Sequence, residues 1–367
     1  MPNKNRNICI IASSLGQGGA EKVAALQSQM LENLGYNVFV VSLLNHIEYE
    51  YSGTLLNLGG LKDINDGFFD RLHRFKIFKQ FLKKHQIDLI IDHRSRNSLL
   101  RELILNFLVY KNIKTIFVIH SHNLLKSFPK NKIITKFLYS KKTTLVSVSK
   151  EIQEKIKSSY GLNNVINIYN SFQLKTKHIP VEIPDEEYIL FFGRLDEEAK
   201  DLTFLIQAYH KSILPSKGIK LYLLGNGQDK SNLIALVKKL RLTNYVIFKN
   251  ATKNPFPIVQ KAKFTVLTSH FEGFPLSIVE SLACKTPVVS VDCESGPKEI
   301  ITNNFNGLLV KKDLNIYTQA LNKMILDSEL LSFCKQNCIK SIEHLSFVKI
   351  QEEWSIQIEK IFNKESL

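Results

Sequence analysis

The sequence predicts an α/β protein that consists of two Rossmann-like domains, each with a doubly wound parallel sheet, facing a cleft. Three observations support this fold class. Short runs rich in β-branched and aromatic residues alternate with helix-like stretches, which is typical of parallel sheets covered on both faces. This alternation stops once near the middle of the chain and then resumes. The length of 367 residues is also more than one hydrophobic core normally supports.

The strands and the linker can be assigned in chain order. The first half contains five predicted strands, in NICIIA, NVFVVSLL, IDLIID, KTIFVIH and TTLVSVS. After Ser171, the segment QLKTKHIPVEIPDEE has two prolines and little periodicity, which indicates a linker. Six further strands follow in YILFFGRL, KLYLLGNG, YVIFKN, FTVLTS, PVVSVD and GLLV. We therefore expect domains at 1–178 and 179–346, with a last helix at 347–367 that packs back on the first domain.

Composition limits the class of protein. No apolar run approaches the roughly 18 residues of a membrane span, and the first apolar run is too short for a secretory core. Five cysteines are too few and too scattered for a disulfide framework, so a reducing cytoplasm is expected. Cys334 and Cys338 are four residues apart, but no other ligand joins them, and we interpret them as core thiols.

The charge is unevenly distributed. Residues 1–180 hold 26 Lys and Arg against 12 Asp and Glu, whereas residues 181–367 hold 23 against 22. Such a positive field favours an anionic partner, which could be a phosphorylated substrate, an acidic lipid surface or a nucleic acid. No zinc, helix-turn-helix or aromatic-repeat signature supports nucleic-acid binding, so we expect no nucleic-acid partner.

Glycines and charged residues follow several strands directly. Gly18 and Gly19 precede the first helix, where backbone N–H groups can bind phosphate, although a tight turn alone would also use glycines. In FFGRLDEEAKD, Gly193 permits a close turn and Arg194 follows the strand end. Lys200 comes six residues later. In open α/β sheets ligands bind beyond the carboxyl ends of strands, so these residues are site candidates.

The segment HFEGFPLSIVESLACKTPVVS carries two carboxylates. Glu272 lies in the loop, Pro275 suits the first turn of a helix, and Glu280 lies about one turn inside. A charge on an otherwise apolar helix requires a reason, because an unpaired buried charge is costly. If Ile278 and Leu282 are buried, Glu280 points into the cleft, where it can accept hydrogen bonds from sugar or ribose hydroxyls.

These motifs resemble the family 4 retaining glycosyltransferases with the GT-B fold, especially the bacterial enzymes of surface polysaccharide, lipopolysaccharide and lipid-linked oligosaccharide synthesis. The matching segments are GGAEK, GRL with a following Lys, LLGNG, the two glutamates of EGFPLSIVESLACKTPVVSVD, SGPKEI and NGLLV. They cover most of residues 8–312. Two positions depart from the family pattern, namely Asp201 where a small residue is common and Asn250 where glycine is frequent.

The resemblance implies a role for each matching residue. Arg194 and Lys200 hold the donor diphosphate, Glu272 meets the transferred sugar, and Glu280 binds the ribose hydroxyls. A histidine near the donor sugar corresponds to His120 or His122, and alternation along the strand leaves both open. The remaining donor-binding candidates are Gly18, Gly19, Gly193, Gly225, Asn226, Ala251, Asn254, Gly273, Phe274, Pro275 and Leu276.

The reaction implied by the resemblance is transfer of a hexose or N-acetylhexosamine, with retention, from a UDP-sugar to a lipid-linked or saccharide acceptor. No D-x-D motif is present, so we expect no metal and no cofactor. The basic segments 71–84 and 126–142 lead us to expect a cytoplasmic protein bound peripherally to the anionic membrane surface. A nucleotide-sugar epimerase or hydrolase on the same fold is the alternative.

Overall fold

A computed structural model describes residues 5–16, 18–62, 66–140, 143–174 and 181–363. The chain divides into two compact units. The first unit comprises Met1–Ser171 and Phe347–Leu367, and the second comprises Phe172–Ser346. The expected domain boundary between 178 and 179 lies outside the described residues.

The first unit is built on a seven-stranded parallel sheet. Its strands lie in the order β3-β2-β1-β4-β5-β6-β7, and all six pairings between neighbours are parallel. Two of these strands, β3 and β7, were not predicted, because they are short and lie at the two edges of the sheet. The strands are β1 (Asn7–Ala12), β2 (Asn37–Ser42), β3 (Thr54–Asn57), β4 (Leu89–Asp92), β5 (Lys114–Ile119), β6 (Thr143–Ser147) and β7 (Val165–Asn167).

The helices of this unit connect the strands. The helix α3 continues directly into a π-helical turn at Leu105–Val109, and a short 3-10 helix occupies Gly59–Leu61. The helices are α1 (Gly19–Asn33), α2 (Phe68–Lys84), α3 (Leu99–Ile104), α4 (Leu124–Ser127), α5 (Lys132–Tyr139) and α6 (Lys150–Tyr160).

The second unit contains all six strands predicted for it. They form one parallel sheet in the order β10-β9-β8-β11-β12-β13. Alternate residues of β8 enter two different hydrophobic clusters, Ile189 one and Leu190 the other, so both faces of the sheet are covered. The strands are β8 (Tyr188–Phe192), β9 (Lys220–Leu224), β10 (Val246–Lys249), β11 (Thr265–Leu267), β12 (Val288–Val291) and β13 (Gly307–Val310).

Eight α-helices belong to the described part of this unit, together with 3-10 helices at Pro215–Lys217 and Glu343–Leu345. The two parallel α/β sheets confirm the predicted fold class. The helices are α7 (Glu197–Lys200), α8 (Leu202–Lys211), α9 (Lys230–Lys239), α10 (Phe256–Lys261), α11 (Leu276–Ala283), α12 (Pro297–Ile300), α13 (Leu314–Leu326) and α14 (Ser328–Ser341).

The last helix, α15 (Phe347–Asn363), belongs to the first unit. It packs on α1, and the Lys114 ammonium donates a hydrogen bond to the Ile361 carbonyl at 2.9 Å. The Arg6 guanidinium lies 4.8 Å from the centre of the Phe362 ring. None of the helices in the described ranges is long and apolar enough to cross a membrane.

In each sheet the direction of strand addition reverses once. The reversal in the first unit lies between β1 and β4, and that in the second unit lies between β8 and β11. The loops that leave two such neighbouring strands run in opposite directions, and the crevice between them is where open α/β sheets bind ligands. The two reversals therefore mark where a functional site is expected in each unit.

Candidate functional site

In the second unit, the loops after β8 and β9 are packed backbone against backbone. Gly193 follows β8 with a φ of 154°, and its N–H donates to the Leu224 carbonyl at 3.0 Å. A Cβ atom on Gly225 would lie 1.8 Å from the Gly193 carbonyl oxygen. The exposed Asn226 accepts a hydrogen bond from the Leu195 N–H through its carbonyl. Glycine at position 225 is therefore a steric requirement of this loop pair.

Arg194 and Lys200 differ in their surroundings. The Arg194 side chain is 66% exposed, and its guanidinium lies 3.7 Å from a carboxylate oxygen of Asp196. Lys200 is the last residue of α7, its side chain is 16% exposed, and its Nζ lies 2.5 Å from Oε1 of Glu272. The Arg194 guanidinium is thus exposed to solvent, whereas the Lys200 ammonium is held in an ion pair with Glu272.

The ion pair of Lys200 and Glu272 spans the strand reversal, because the lysine follows β8 and the glutamate follows β11. The Glu272 side chain is 11% exposed and also accepts a hydrogen bond from the Ser269 hydroxyl at 2.6 Å. The Thr268 hydroxyl donates to the Lys200 carbonyl at 2.9 Å, which ties the two loops together. The structure therefore brings together two residues that are 72 positions apart and that the sequence analysis assigned to one site.

The loop that carries Glu272 is held by hydrogen bonds to the loop that follows β12. The Glu272 N–H donates to the Glu294 carbonyl at 3.1 Å, and the Ser295 hydroxyl donates to the Gly273 carbonyl at 2.8 Å. Pro275 is the N-cap residue of α11 rather than a first-turn residue, which corrects the prediction by one position. No side chain caps this helix, whose first turn begins at Leu276 beside the buried Phe274.

Glu280 lies in the second turn of α11 and is buried, as are Ile278 and Leu282. The next residue anchors the helix, since the Ser281 hydroxyl donates to the Thr286 carbonyl at 2.7 Å. A carboxylate is therefore held in a buried position on a helix whose other residues are mostly apolar.

The loop after β10 contains the candidates Ala251 and Asn254. Ala251 is exposed, whereas Asn254 is buried and its side-chain oxygen has no hydrogen-bond partner in the described residues. Asn250, which departs from the family pattern, accepts a hydrogen bond from the Lys230 ammonium at 2.8 Å. This loop therefore retains one buried acceptor for a ligand.

Asp201, the other departure, has a structural role. It adopts a left-handed φ of 48°, and its side chain accepts from the Phe204 N–H at the start of α8. It also pairs with Lys312 at 2.7 Å and with His270 at 3.4 Å. The carboxylate thus caps a helix and forms an ion pair with Lys312, while Lys200 pairs with Glu272.

In the first unit, the glycine loop meets the start of α1. Gly18 has a φ of 155°, and its N–H donates to the Tyr49 hydroxyl at 3.3 Å. Gly19 is the first residue of the helix, which no side chain caps. A Cβ on Gly18 would lie 2.2 Å from a Glu21 carboxylate oxygen, so a side chain at this position would have to displace Glu21. Glycine at position 18 is therefore favoured by its backbone conformation and by the neighbouring Glu21.

The two histidines after β5 have different partners. His120 Nε2 lies 2.9 Å from Nδ1 of His93, and the two rings meet edge to edge with their planes 27° apart. His122 Nδ1 instead lies 3.1 Å from the Lys155 ammonium of α6. His120 thus contacts another residue at the strand reversal, whereas His122 contacts α6.

His93 and its other neighbour, Gln27 of α1, were missed by the sequence analysis. His93 Nε2 lies 2.5 Å from the Gln27 side-chain oxygen, and both residues are buried. Burial, with a further contribution from Arg96, lowers the pKa of His93 to about 3. Burial, followed by the effects of His93 and Arg96, also holds the pKa of His120 well below its usual value. Both imidazoles are therefore neutral at pH 7.

A buried group of charges supports these histidines. Arg94 contacts Asp92 at 2.6 Å and Glu102 at 3.4 Å. The Tyr110 hydroxyl donates to Asp92 at 3.0 Å, and burial raises the pKa of this tyrosine well above its usual value. The Arg96 guanidinium donates to the carbonyls of Asp92 and Val118. These contacts fix the loop that carries His93, since each buried charge has a partner.

The first unit contains a pocket of about 60 Å³ at this edge of its sheet. His93, Arg96 and His120 line it together with serines at positions 13, 95, 121 and 127. Its lining also includes the Glu21 carboxylate, two alanines and a valine, so polar groups of both charge signs lie beside apolar ones. No group of three or more His, Cys, Asp or Glu in the described ranges is arranged to hold a metal ion.

Two family models match the chain and together span residues 17–341. Residues 17–175 match Glycosyltransferase Family 4, and residues 174–341 match Glycosyl transferases group 1. The match to each half is consistent with the motifs that carry the sequence resemblance.

Individual proteins are similar over the whole chain or over half of it. An N-acetylgalactosamine-N,N'-diacetylbacillosaminyl-diphospho-undecaprenol 4-alpha-N-acetylgalactosaminyltransferase of Campylobacter jejuni is 27% identical, over 94% of this chain and 97% of its own length. The lipopolysaccharide 1,6-galactosyltransferase of Escherichia coli K12 is 29% identical over 49% of this chain and 52% of its own. The crystal structure of Anabaena HepE with UDP and glucose has a TM-score of 0.75 at 18% identity, over 97% and 100% of the two chains.

The contact between the two glycine loops leads to a stability prediction. Gly225→Ala should destabilise the second unit, because its Cβ would overlap the Gly193 carbonyl and force the loops apart. Overpacking of this kind costs about 1–3 kcal/mol, so the melting temperature should fall by at least about 2 °C. Thermal unfolding followed by circular dichroism measures the shift.

Gly60→Ala provides the control for this measurement, since the nearest atom to its Cβ would be 3.4 Å away. An unchanged melting temperature for Gly225→Ala would show that the two loops can separate without cost.

Proposed function

Because the chain belongs to the family 4 glycosyltransferases with the GT-B fold, we propose that it transfers a hexose or N-acetylhexosamine from a UDP-sugar, with retention, to a lipid-linked or saccharide acceptor of a bacterial surface glycan. The observation that carries this proposal is the Lys200–Glu272 pair at the strand reversal of the second unit. The names of the relatives support the acceptor class, since one acts on a diphospho-undecaprenol substrate and another is a lipopolysaccharide galactosyltransferase. UDP and glucose bound to HepE support the donor class.

The cations of the second unit suit a diphosphate leaving group. Lys200 uses one of its three N–H groups on Glu272, so two remain for phosphate oxygens. Arg194 is exposed beside the Gly193 turn and offers a planar set of donors. Negative charge grows on the β-phosphate as the glycosidic bond breaks, and preorganised cations at that position stabilise the transition state.

The carboxylates of this unit suit hydroxyl groups. Glu272 accepts hydrogen bonds from Lys200 and Ser269 through one oxygen, Oε1, and its other oxygen can accept from a hydroxyl of the transferred sugar. We assign Glu280 to the ribose hydroxyls, because its helix holds it rigidly in a buried position. Ionised acceptors give stronger hydrogen bonds than neutral ones, which favours carboxylates for this purpose.

Retention would follow from attack on the same face of the sugar from which the diphosphate leaves. In this step the acceptor oxygen bonds to the anomeric carbon, and the bond from that carbon to the phosphate oxygen breaks. The acceptor proton passes to the departing β-phosphate oxygen. No side chain of the protein is required as the base.

The activity is tested by measuring UDP release from a panel of UDP-sugars, with and without diphospho-undecaprenol glycans as acceptors. Transfer predicts acceptor-dependent release and a product lengthened by one sugar, which mass spectrometry and NMR of the anomeric linkage identify. Release of UDP without an acceptor would instead indicate a hydrolase. Conversion of the UDP-sugar to another UDP-sugar without release of UDP would indicate an epimerase.

We propose that turnover needs no divalent metal, because Arg194 and Lys200 can balance the charge of the diphosphate. Treatment with EDTA followed by desalting should leave the initial rate within about twofold of the untreated enzyme. A complete loss of rate that added Mg²⁺ or Mn²⁺ restores would show that a metal ion holds the diphosphate.

Arg194→Ala should lower the chemical step more than donor binding, since the contact strengthens as charge develops. The loss of one preorganised donor typically costs about 2.7–4 kcal/mol, or roughly 10²–10³ in rate. Single-turnover transfer at saturating donor measures this step. Arg241→Ala in the loop after α9 is a matched exposed control. A wild-type rate for Arg194→Ala would mean that Arg194 is only a solvated surface charge.

Arg194 is the better choice of the two cations for this experiment. Removal of Lys200 would leave the largely buried Glu272 with the Ser269 hydroxyl as its remaining protein partner, and the cost of that unpaired charge would affect folding as well as catalysis. Arg194 contacts Asp196 at the long distance of 3.7 Å, so its loss leaves no buried group unpaired.

Glu280→Gln should weaken the binding of UDP through its ribose while the fold is retained. A hydrogen bond to a charged acceptor contributes about 1.5–3 kcal/mol, so calorimetry should show a roughly 10- to 150-fold higher Kd. Glu329→Gln, in the exposed first turn of α14, serves as the control. An unchanged Kd for Glu280→Gln would remove this residue from the site.

Peripheral binding to an anionic membrane is proposed from a surface of the first unit. This apolar-basic surface consists of Phe107, Ile133 and Phe137 with Lys132 and Lys136. Ile133 is 82% exposed and Phe137 is 69% exposed, and they lie four residues apart on one face of α5. The Phe107 and Phe137 rings are 6.3 Å apart, so the exposed apolar residues are contiguous. Exposed apolar side chains among cations are typical of helices that lie in the lipid headgroup region.

The protein should therefore sediment with vesicles that contain anionic lipid more than with neutral vesicles. Each nearby Lys or Arg contributes about 1 kcal/mol, screened by salt. The double variant Ile133→Ser with Phe137→Ser should lose most of the binding. Leu326→Ser with Phe333→Ser, which removes two exposed apolar residues of the second unit, should not. Equal sedimentation with both vesicle types would contradict the assignment.

A further inference from the structure

Three polar side chains form a line at the strand reversal of the first unit. Gln27 of α1 contacts His93 after β4, and His93 contacts His120 after β5. The distances are 2.5 Å from the amide oxygen to Nε2 of His93 and 2.9 Å from Nδ1 of His93 to Nε2 of His120. Each contact therefore uses a different ring nitrogen of His93.

The Gln27 amide oxygen faces His93, and the buried amide nitrogen of Gln27 has no hydrogen-bond partner in the described residues. In this orientation the oxygen accepts, so Nε2 of His93 carries a hydrogen; the opposite orientation of the amide would reverse both tautomers, and the NMR measurement below distinguishes the two. A neutral imidazole has one N–H, and burial beside Arg96 keeps His93 neutral. Its Nδ1 is therefore an acceptor, and Nε2 of His120 must donate to it. His120 is neutral for the same reasons, which leaves its Nδ1 without a hydrogen.

We propose that Gln27 and His93 are positioning residues, which hold His120 as the Nε2–H tautomer so that its Nδ1 accepts a hydrogen bond from a sugar hydroxyl that enters the pocket of the first unit. This inference rests on the proposed function. His120 lines the pocket of about 60 Å³ and is partly exposed, whereas Gln27 and His93 are buried. Because His93 occupies Nε2, Nδ1 is the ring nitrogen of His120 that remains for a ligand.

The same arrangement argues against proton abstraction by His120. A general base is most effective when its pKa lies near the working pH, and that of His120 is held far below it by burial and by His93 and Arg96. A neutral acceptor of fixed orientation instead recognises a hydroxyl hydrogen. The ligand group recognised by this nitrogen is therefore a hydrogen-bond donor such as a hydroxyl, rather than an anion.

Histidine NMR on the full-length protein tests the tautomers directly. Long-range ¹H–¹⁵N spectra of protein labelled with ¹⁵N-histidine distinguish a nitrogen that carries hydrogen from one that does not, and His93→Asn and His120→Asn provide the assignments. We expect Nε2–H on both rings between pH 6 and pH 8. A hydrogen on Nδ1 of His120, or a protonated ring, would overturn the proposal.

The variant Gln27→Met separates this orienting role from a merely structural one. It removes the acceptor for Nε2–H of His93 and should produce a mixture of tautomers. In kinetics with a UDP-sugar, Gln27→Met should lower kcat/KM by roughly tenfold with little change in the Kd of UDP alone, since UDP lacks the sugar.

Gln29→Met, at a half-buried position of the same helix, is the matched control, because the Gln29 amide donates to the Glu50 carbonyl rather than to a histidine. Equal losses for UDP and for the UDP-sugar would overturn the assignment of the sugar hydroxyl. The NMR measurement needs no substrate. Failure of the wild-type protein to transfer sugar would refute the proposed function, whereas the tautomers would still show whether Gln27 and His93 orient His120.

Discussion

The side chains assigned to catalysis depend on the reversal of strand order in each sheet. Without it, the loops after β1 and β4, or after β8 and β11, would run in the same direction, and no crevice would open between them. In the second unit the reversal allows Lys200 to meet Glu272. In the first it allows Gln27 to reach His93. The strand topology thus fixes where the loops run, and the candidate site residues lie on those loops at the two reversals.

The two reversals differ in their electrostatics. In the first unit the buried Asp92 and Glu102 are matched by Arg94 and by neighbouring donors, and the histidines are neutral. In the second unit one cation is paired and another, Arg194, is exposed. A neutral, oriented surface suits hydroxyl groups, and an exposed cation suits a phosphate.

The parallel sheets could be predicted from the sequence because apolar periodicity is a local signal, and the structure brings together two of the residues named for the second unit, Lys200 and Glu272. Gln27 and His93 were not predicted. Their role arises from a contact over 66 residues, and neither residue type is unusual in its own segment. The segment IDHRSR follows a buried strand at the reversal, so the general rule for α/β sheets would have drawn attention to it. The edge strands β3 and β7 were missed because short edge strands lack a distinctive pattern.

The distribution of thiols has a practical consequence for spectroscopy. All five cysteines are buried and free, and burial raises the pKa of Cys293 and of Cys338 to about 12. Thiolates are the reactive form, so the native cysteines react slowly with maleimides under neutral conditions. A single cysteine introduced on an exposed face of either unit could therefore carry a fluorophore or spin label in the otherwise unchanged chain. Distances between the two units during turnover become measurable without a cysteine-free background.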